Sequence, residues 1–534
     1  MDPATDPPEA IFTPAELPHD IRLRIERGAG RRWETLEEAM RQLGVARLRL
    51  VGIYDDRQEA HFMLRTRIPG GMLTAAQAET IAAVADDFSV RPADETGPER
   101  FVELTTRQNI QLHWLRFENL PEVWARYDAV RLGSMQACGD SLRNVTSCPV
   151  AGVSNDEYFD VRHVVAAIQL LTETEPGTTA RLPRKFKVAI TACPTDCVLA
   201  GLHDLSFTPA RNEERVFGFH VRAGGGLSDY PRLASPLPLF VLPDQVVDVV
   251  RATLELYRDE GDFEHKAVNR FRMLVHELGI EAITDGIHSR LPYALPGPGT
   301  GLSNGRAEDH LGVHAQPDGR SWVGLCVPVG RMTAHELSEV AMLSRLYGDG
   351  YLRVTQRQNL VLTGVRDVES LLAEPLIRDR FHADPDPFER GVIACTSAPF
   401  CKFALLDMKR TGRELIEDLR QHVPESKWPQ LQGVRLHLSG CKASCAQVQA
   451  ADIGFRATMG KDEDAYHPAV DISVGGGPDR LGQWDRLEVP LDEAFEGLGR
   501  ALVAVATSWD EAGDGPGSDA GSLRWPGEEA GDAD

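Results

Sequence analysis

The segment Cys395-Thr-Ser-Ala-Pro-Phe-Cys401 is followed 40 residues later by Cys441-Lys-Ala-Ser-Cys445, so that four cysteines stand in two short-range pairs. Four convergent thiolates bind a soft metal centre, either zinc or an iron–sulfur cluster. The wider first pair does not favour zinc, whose paired ligands are usually separated by about two to four residues. The alternative is that these thiols are buried and only pack, as free cysteines often do.

This cysteine segment is the second copy of a pattern that begins much earlier in the chain. Four features recur at offsets of 248 to 259 residues: Cys193–Cys197 and Cys441–Cys445, Arg107 and Arg357, Thr74 and Thr333, and the glycine triplets 224–226 and 475–477. Separate features that share an offset indicate an internal duplication. We therefore expect two similar halves, about 45–290 and 310–505, related by a pseudo-twofold axis with a site at the seam between them.

Local patterns place several of these residues on secondary structure. Thr74 and Thr333 are expected to cap helices at 75–88 and 334–346. The alternating run 101–114 predicts a strand with Arg107 near its middle. The glycine triplets are expected to let the backbone approach a bulky ligand, or else to form bulges or turns.

Basic residues cluster in the first half. Residues 182–190 alternate, which predicts a strand that carries Lys185 and Lys187 on one face. Together with Arg107 and Arg143 they form either a solvated surface or an anion pocket. Next to a metal centre the pocket is favoured, because cations act most strongly where water is excluded.

Composition limits the classes of partner. The net charge of −23 disfavours nucleic acid as a partner. The sequence has no run of 18 consecutive apolar residues, so no membrane span is predicted. The acidic, proline-rich N-terminus lacks the features of a signal peptide. We expect a cytoplasmic protein, in which grouped cysteines indicate metal binding or catalysis rather than disulfides.

The sequence resembles the sirohaem-containing nitrite and sulfite reductases of the ferredoxin-dependent assimilatory type over about residues 45–505. Five motifs carry the resemblance: Thr-Thr-Arg107-Gln-Asn, Arg143-Asn-Val, Leu-Pro-Arg-Lys185-Phe-Lys187, Ala-Cys395-x5-Cys401, and Gly-Cys441-x3-Cys445-Ala-Gln with Ala-Asp-Ile-Gly-Phe455. The chain departs from the family at Lys442-Ala443, where Pro-Asn is common. The turn of that loop is therefore expected to differ.

The resemblance implies two cofactors. A [4Fe–4S] cluster is held by Cys395, Cys401, Cys441 and Cys445, and Cys445 is also the axial ligand of the sirohaem iron. The residues expected to bind substrate anion, supply protons and line the sirohaem are Arg107, Arg143, Lys185 and Lys187. His113 is a further expected cofactor contact, and Arg65, Arg67 and Arg184 are candidates for the sirohaem rim.

The fold that the resemblance implies is α+β and internally duplicated, with two ferredoxin-like half-domains and two larger mixed α/β domains in a pseudo-twofold arrangement. The expected order is a disordered N-terminus (1–30), ferredoxin-like repeat 1 (45–122), a sirohaem-binding α/β domain with the cationic residues (123–290), a linker (291–312), ferredoxin-like repeat 2 (313–372), a cluster- and sirohaem-binding α/β domain (373–507) and a disordered tail (508–534).

The implied reaction is the six-electron reduction of nitrite to ammonium, with the reduction of sulfite to sulfide as the alternative. The linking regions and glycine-rich strands resemble the nitrite branch. Lys187 resembles the sulfite branch. A second lysine also suits a dianion better than a monoanion, which is a separate, physical argument for sulfite. Electrons are expected from ferredoxin or a similar one-electron carrier that docks on a basic patch (Lys402, Lys409, Arg410 and Arg413), and the protein is expected to be a monomer. The sequence has no nucleotide-binding glycine motif that leads into a helix, so NAD(P)H and flavin are not expected to bind.

The first-half cysteines Cys148, Cys193 and Cys197 echo the cluster ligands, but no second C-x5-C is present. We expect a vestige of the duplication that packs as small apolar residues. The alternative is a second metal site with Cys138 as its fourth thiolate. Two rival classes for the whole protein are a zinc-stabilised binding module and a cobalamin-pathway monooxygenase on the same scaffold.

Overall fold

The computed structural model describes residues 17–28, 45–58, 60–265, 268–305, 308–461 and 465–512. The strands are β1 Ile53–Asp55, β2 His61–Thr66, β3 Met72–Thr74, β4 Phe101–Leu104, β5 Ile110–Arg116, β6 Thr146–Ser147, β7 Val188–Ile190, β8 Leu205–Arg211, β9 Phe217–Ala223, β10 Ser235–Val241, β11 Thr300–Gly301, β12 Gly312–Ala315, β13 Ser321–Leu325, β14 Arg331–Thr333, β15 Tyr351–Val354, β16 Leu360–Val365, β17 Val392–Ala394, β18 Leu436–Ser439, β19 Ile453–Lys461, β20 Tyr466–Val474 and β21 Gln483–Pro490.

The α-helices cover these strands and connect them. They are α1 Pro18–Gly28, α2 Val45–Leu50, α3 Ala75–Phe88, α4 Leu120–Ala129, α5 Arg162–Thr174, α6 Pro176–Thr179, α7 Val246–Glu260, α8 Phe271–His288, α9 Ala334–Tyr347, α10 Val368–Ala373, α11 Pro375–Asp379, α12 Pro387–Gly391, α13 Met408–His422, α14 Trp428–Leu431 and α15 Leu491–Ala512.

Two central sheets exchange strands across the pseudo-twofold axis. One has the order β1-β2-β5-β4-β14 and the other β12-β13-β16-β15-β3. Each half therefore lends one short strand to the sheet of the other, with Arg331 opposite Glu103 and Tyr351 opposite Thr74. Helices α3 and α9 pack on each other, and apolar residues of both halves form one shared core. The predicted duplication is confirmed.

Two larger sheets flank this centre, and they have the same plan. In the first half β6, β7 and β8 are parallel, and β9 and β10 follow in antiparallel order. In the second half β17, β18 and β19 are parallel, and β20 and β21 follow in antiparallel order. Each sheet has its own apolar core. The carboxyl ends of neighbouring parallel strands lie at one edge of a sheet, so the residues that follow them are brought together.

The helix starts follow the sequence closely. Thr74 accepts a hydrogen bond from Gln77 N, and the Gln77 side chain accepts one from Thr74 N, which completes a capping box before α3. Thr333 and Glu336 repeat this box before α9. Each box satisfies two backbone donors that the first turn of a helix leaves without partners.

Two predicted strands are wrong in their local detail. Arg107 lies in the turn between β4 and β5, where Gln108 has a φ of 56°. Lys185 and Lys187 precede the short strand β7 and form no strand of their own. Alternation of apolar residues continued through both turns, which explains why it suggested longer strands.

The expected termini and linker also differ. Residues 18–28, expected to be disordered, form α1, because Ile21 and Ile25 pack into the central core. Helix α15 continues to Ala512, into the expected tail, while 1–16 and 513–534 lie outside the described residues. The expected linker contains β11, which pairs with β8.

Candidate functional site: a cysteine cluster facing a cationic recess

The four cysteines of the second half follow two neighbouring parallel strands. Cys395 comes directly after β17, and the 441–445 loop follows β18. The amide of Gly440 donates to Cys395 Sγ at 3.2 Å. Burial first, and then the charges of Cys445, Cys441 and Cys401, raise the pKa of the Cys395 thiol. The other three cysteines therefore lie close enough to act on Cys395, and a positive centre would be needed to make these thiols thiolates. Their role as cluster ligands remains a prediction.

The cationic residues lie together in a recess of the first half. Arg143 is buried, and Arg107, Lys185 and Lys187 are partly buried. Burial and the charge of Arg143 lower the pKa of Arg107 to about 9. Burial, Arg270 and Arg143 lower the pKa of Lys185 to about 7, and burial with Arg107 lowers that of Lys187 well below its usual value. The recess has an excess of positive charge.

Backbone carbonyl groups hold the two guanidinium groups in place. Arg107 donates from Nη2 to Asn144 O at 2.5 Å, and its buried Nε has no partner among the described residues. Arg143 donates from Nε and Nη2 to Ala137 O at 2.9 and 2.6 Å. Neutral acceptors orient these cations without cancelling their charge, so the charge remains available to an anion.

The cysteine cluster and the recess meet at Cys445. The hydroxyl of Thr106, next to Arg107, donates to Cys445 O at 2.9 Å across the seam between the halves. The charge of Cys445 acts on Lys185 and opposes the fall of its pKa. One thiol of the second half therefore borders the cations of the first half.

The equivalent position in the second half carries a cation that is paired with a carboxylate. Lys187 has Arg435 as its counterpart 248 residues later, and Asp204 has Asp452. Arg435 Nη2 lies 2.7 Å from Asp452 Oδ1. In the first half Asp204 instead pairs with Arg270 at 2.9 Å, and it accepts only the backbone N–H of Lys187 at 2.9 Å. Among the described residues, the Lys187 side chain therefore forms no ion pair with this carboxylate, which acts on it only at longer range.

An anionic, carboxylate-rich cofactor fits this recess. Buried cations that repel one another are stabilised by anions, and the orphaned Arg107 Nε and the orphaned Nε and Nη1 of Arg272 are donors that such a group can satisfy. The four thiols suit an iron–sulfur cluster. The residues of the two regions therefore fit sirohaem and a [4Fe–4S] cluster.

Several residues at the recess escaped the sequence analysis. Arg270 and Arg272 flank the start of α8, and burial and Arg270 lower the pKa of Arg272 to about 10. His203 is buried, and burial with Arg107 lowers its pKa well below the usual value. The alternation in Asn269-Arg-Phe-Arg272 is the one local signal that could have pointed to the two arginines.

His113 lies against the cysteine segment 395–401. Its Nδ1 is 3.3 Å from Asp56 and its Nε2 is 3.6 Å from Glu103. Its ring packs on Phe400, the residue before Cys401, with centroids 4.1 Å apart. Burial opposes its charging, but the two carboxylates raise its pKa. The expected cofactor contact of His113 remains a prediction.

The approach of the glycine triplets to a ligand remains a prediction, and one residue of the expected basic patch is corrected. The glycine triplets approach the chain itself: a Cβ on Gly225 would lie 2.2 Å from Gly201 O, and one on Gly476 would lie 2.5 Å from Ala451 O. In the basic patch, Lys409 is fully buried and donates to Val329 O and Ala394 O. Lys402, Arg410 and Arg413 are exposed.

Fold and site together define a redox enzyme with coupled iron cofactors, and comparison with known proteins gives the family. The model of the nitrite and sulphite reductase 4Fe-4S domain matches residues 138–294 and 387–513. The model of the nitrite/sulfite reductase ferredoxin-like half domain matches 54–130 and 314–376. The chain belongs to the nitrite and sulphite reductase family, and it carries a [4Fe–4S] cluster and sirohaem.

Relatives agree with this assignment. The assimilatory ferredoxin-dependent nitrite reductase of Haloferax mediterranei is 36% identical over 93% of this chain and 90% of its own. The ferredoxin–nitrite reductase of Synechococcus elongatus is 36% identical over 85% of this chain and 87% of its own. The solved structure of the Mycobacterium tuberculosis NirA protein matches 95% of each chain with a TM-score of 0.85 and 27% identity. Among the described residues, none of the helices has the length and apolar character that a membrane span requires.

Proposed function

We propose that this protein reduces nitrite to ammonium with electrons from ferredoxin, as a cytoplasmic monomer. The observation that carries the proposal is the junction at Cys445, where Thr106 holds the cysteine loop against the cationic recess. This junction supports an arrangement in which an electron-conducting group at the cysteines would lie next to cations that would hold an anion and supply protons. The relatives named above as ferredoxin-dependent nitrite reductases support nitrite as the anion and ferredoxin as the donor.

The reaction consumes one nitrite, six electrons and eight protons, and it produces ammonium and two waters. Cys395, Cys401, Cys441 and Cys445 would hold the cluster, and sirohaem bound next to Cys445 would supply the iron at which nitrite is reduced. Arg107 and Arg143 bind the oxyanion, since guanidinium groups donate along fixed directions. Lys185 holds a transferable proton on Nζ, because burial and its cationic neighbours bring its pKa to about 7.

Sulfite is the competing substrate. The ammonium of Lys187 favours a dianion, which is the physical argument for sulfite. The relatives favour nitrite. Lys185 and Lys187 have lowered pKa values, so the recess carries less positive charge than its number of lysines suggests, and a monoanion is enough to balance it. Lys187→Asn is therefore expected to lower kcat/KM for sulfite more than for nitrite.

The direct test measures kcat/KM for both anions with the purified holoenzyme and reduced methyl viologen. We expect the value for nitrite to exceed the value for sulfite, with ammonium as the product. A clearly larger value for sulfite would overturn the proposal. Methyl viologen is used because it bypasses the docking of ferredoxin, so that the result concerns only the recess.

Ferredoxin docking is proposed at the exposed face around Cys401. Lys402 and Arg410 are exposed there, and Phe403 and Leu405 are 70% and 50% exposed. Basic groups around an apolar centre suit an acidic carrier that passes electrons to the cluster. Lys402→Glu with Arg410→Glu is expected to slow ferredoxin-driven turnover at low salt by about tenfold or more, with methyl viologen turnover unchanged.

Arg258→Glu on α7, in the other half of the chain, is the matched control. It reverses the charge of a partly exposed arginine far along the chain from Cys401 and is expected to leave ferredoxin-driven turnover unchanged. If the double variant keeps both its ferredoxin-driven rate and its dependence on salt, the docking face is wrong.

A further inference from the structure

Three cysteines of the first half and one histidine of the segment before β12 lie together in the interior. Cys148 Sγ, Cys197 Sγ and a ring nitrogen of His310 all lie within 4.8 Å of one another. Cys193 Sγ lies 3.4 Å from Cys148 Sγ, and His310 Nε2 lies 3.7 Å from Cys148 Sγ. All four residues are buried. We call them the thiol–imidazole group.

This group occupies the place in the first half that the cysteine cluster occupies in the second. Cys148 directly follows β6, and the 193–197 loop follows the parallel neighbour β7. The same glutamine of each repeat supports the strand end, since Gln108 Oε1 accepts from Ser147 N at 2.8 Å and Gln358 Oε1 accepts from Ala394 N at 3.2 Å. Both sites are therefore built by the same arrangement of strands.

The fourth member of the group is not the one that the sequence suggested. Cys138 lies elsewhere, 3.3 Å from Arg65 Nη1 and 3.8 Å from Gly52 O. His310 comes instead from the segment before β12, 162 residues after Cys148. Spacing between cysteines could not reveal a distant histidine, which is why the sequence favoured a vestige.

The backbone holds His310 firmly toward the thiols. His310 has a φ of 60°, which a non-glycine residue adopts only when its surroundings enforce it. Its carbonyl oxygen lies 1.6 Å from where a Cβ of residue 324 would stand, so only glycine fits on β13 at that point. Its neighbour Asp309 is held by Arg390 at 3.0 Å.

The chemistry of the group suits a soft metal ion. His310 Nε2 lies 3.7 Å from Cys148 Sγ and is a ring nitrogen that can ligate such an ion. The three thiols lie next to one another. Arg353 lies nearby, donates to Pro149 O and Ala151 O, and can balance the negative charge of one thiolate. Three thiolates and one imidazole form a usual ligand set of structural zinc.

We propose that Cys148, Cys193, Cys197 and His310 bind one zinc ion that joins the ends of β6 and β7 to the segment before β12. Zinc fits better than a second iron–sulfur cluster, because the ligands of a single ion lie close together around one point, whereas the ligands of a cluster are spread around several iron atoms. Among the residues that the structure describes, Cys148, Cys197 and His310 are the one group of Cys, His, Asp and Glu residues whose ligand atoms all lie within 4.8 Å of one another, and Cys193 adjoins it through Cys148. The three cysteines belong to the first half, and the role of the site is independent of the proposed reaction.

The test is metal analysis of the holoenzyme purified without chelators from zinc-supplied cells, with X-ray absorption at the zinc edge. The zinc edge is specific to the element, so the iron cofactors do not interfere. We expect about one zinc per chain, with three sulfur ligands at about 2.3 Å and one nitrogen at about 2.0–2.1 Å. Absence of zinc, zinc bound only by oxygen and nitrogen, or extra iron and sulfide equal to a second cluster would each overturn the proposal.

Variants place the ion on the named residues. Cys197→Ser and His310→Gln are expected to lose the zinc while iron content and the visible spectrum are retained. Cys326→Ser is the matched control, since Cys326 is an equally buried thiol that donates to Glu389 O. It should retain zinc. Zinc retained in full by both variants would contradict the assignment, and the wild-type spectrum remains decisive if a variant does not fold.

Discussion

At the scale of residues, the two halves differ in which buried cations have carboxylate partners. Arg435 is paired with Asp452, whereas Asp204 pairs with Arg270 and no ion pair of the matching Lys187 occurs among the described residues. The sequence predicted the basic motif residues and the four cysteines. It could not predict the pairing of Arg270 with Asp204, since 66 residues separate them and no local pattern joins them.

Lys185 should make the sirohaem-free protein more stable as pH rises. Its folded pKa of about 7 lies below the unfolded value of about 10.4. Between these values the unfolded chain binds more protons, so stability increases with pH across this window and is lowest below about pH 7. Lys185→Met should raise the melting temperature at pH 6 by about 2 °C and flatten the rise between pH 7 and 10.

Lys402→Met is the control for that measurement. It removes an exposed lysine that pairs with Asp55 on the surface, so its melting temperature should depend on pH as the wild type does. A Lys185→Met protein with the same pH dependence as the wild type would show that Lys185 is not held in a strained charged state.

At the scale of elements, the paired turns at 105–109 and 355–359 join the two halves. Gln108 Nε2 donates to Val354 O, and Gln358 Nε2 donates to Leu104 O, both at 2.9 Å. The helices at 75 and 334 were predictable because their caps are local. These turns were not, because Gln108 and Gln358 adopt a positive φ without the glycine or asparagine that usually marks it.

Gln358→Ala should weaken the cluster. It removes the donor to Leu104 O and the acceptor for Ala394 N, directly before Cys395, and leaves buried backbone groups unpaired. We expect a loss of about 1–3 kcal/mol in stability and faster release of cluster iron to a chelator. Both are measurable, by thermal unfolding and by the absorbance of the chelated iron.

Gln108→Ala is the matched comparison, because it removes the equivalent bonds in the other half. It should cost similar stability but leave the early release of cluster iron close to the wild-type rate, since Gln108 supports Ser147 rather than the end of β17. Equal iron release from the two variants would show that the turn acts only on overall stability.

At the scale of the molecule, the two halves form one folding unit. The repeats in the sequence predicted two halves and a seam. They did not predict that β3 and β14 change places, because three-residue strands leave almost no periodic signal. The exchange and the shared core mean that each half alone exposes a sheet edge and apolar surface.

Splitting the chain between Gly305 and Glu308 should therefore give fragments that are insoluble when produced separately. Produced together, they should associate and purify as one complex, because β3 and β14 again find their sheets. Soluble yield and co-purification on a tag at one fragment check this. If the C-terminal fragment unfolds cooperatively when it is produced alone, the two halves are not a single folding unit.

Cations of one half and cysteines of the other are proposed to form one centre for nitrite reduction. The most direct test counts electrons and product while the holoenzyme consumes nitrite with a titrated reductant. We expect six electrons and one ammonium per nitrite, and loss of this activity in Arg107→Gln without loss of cofactors. Nitrite consumption with fewer electrons and no ammonium, or unchanged activity in Arg107→Gln, would contradict it.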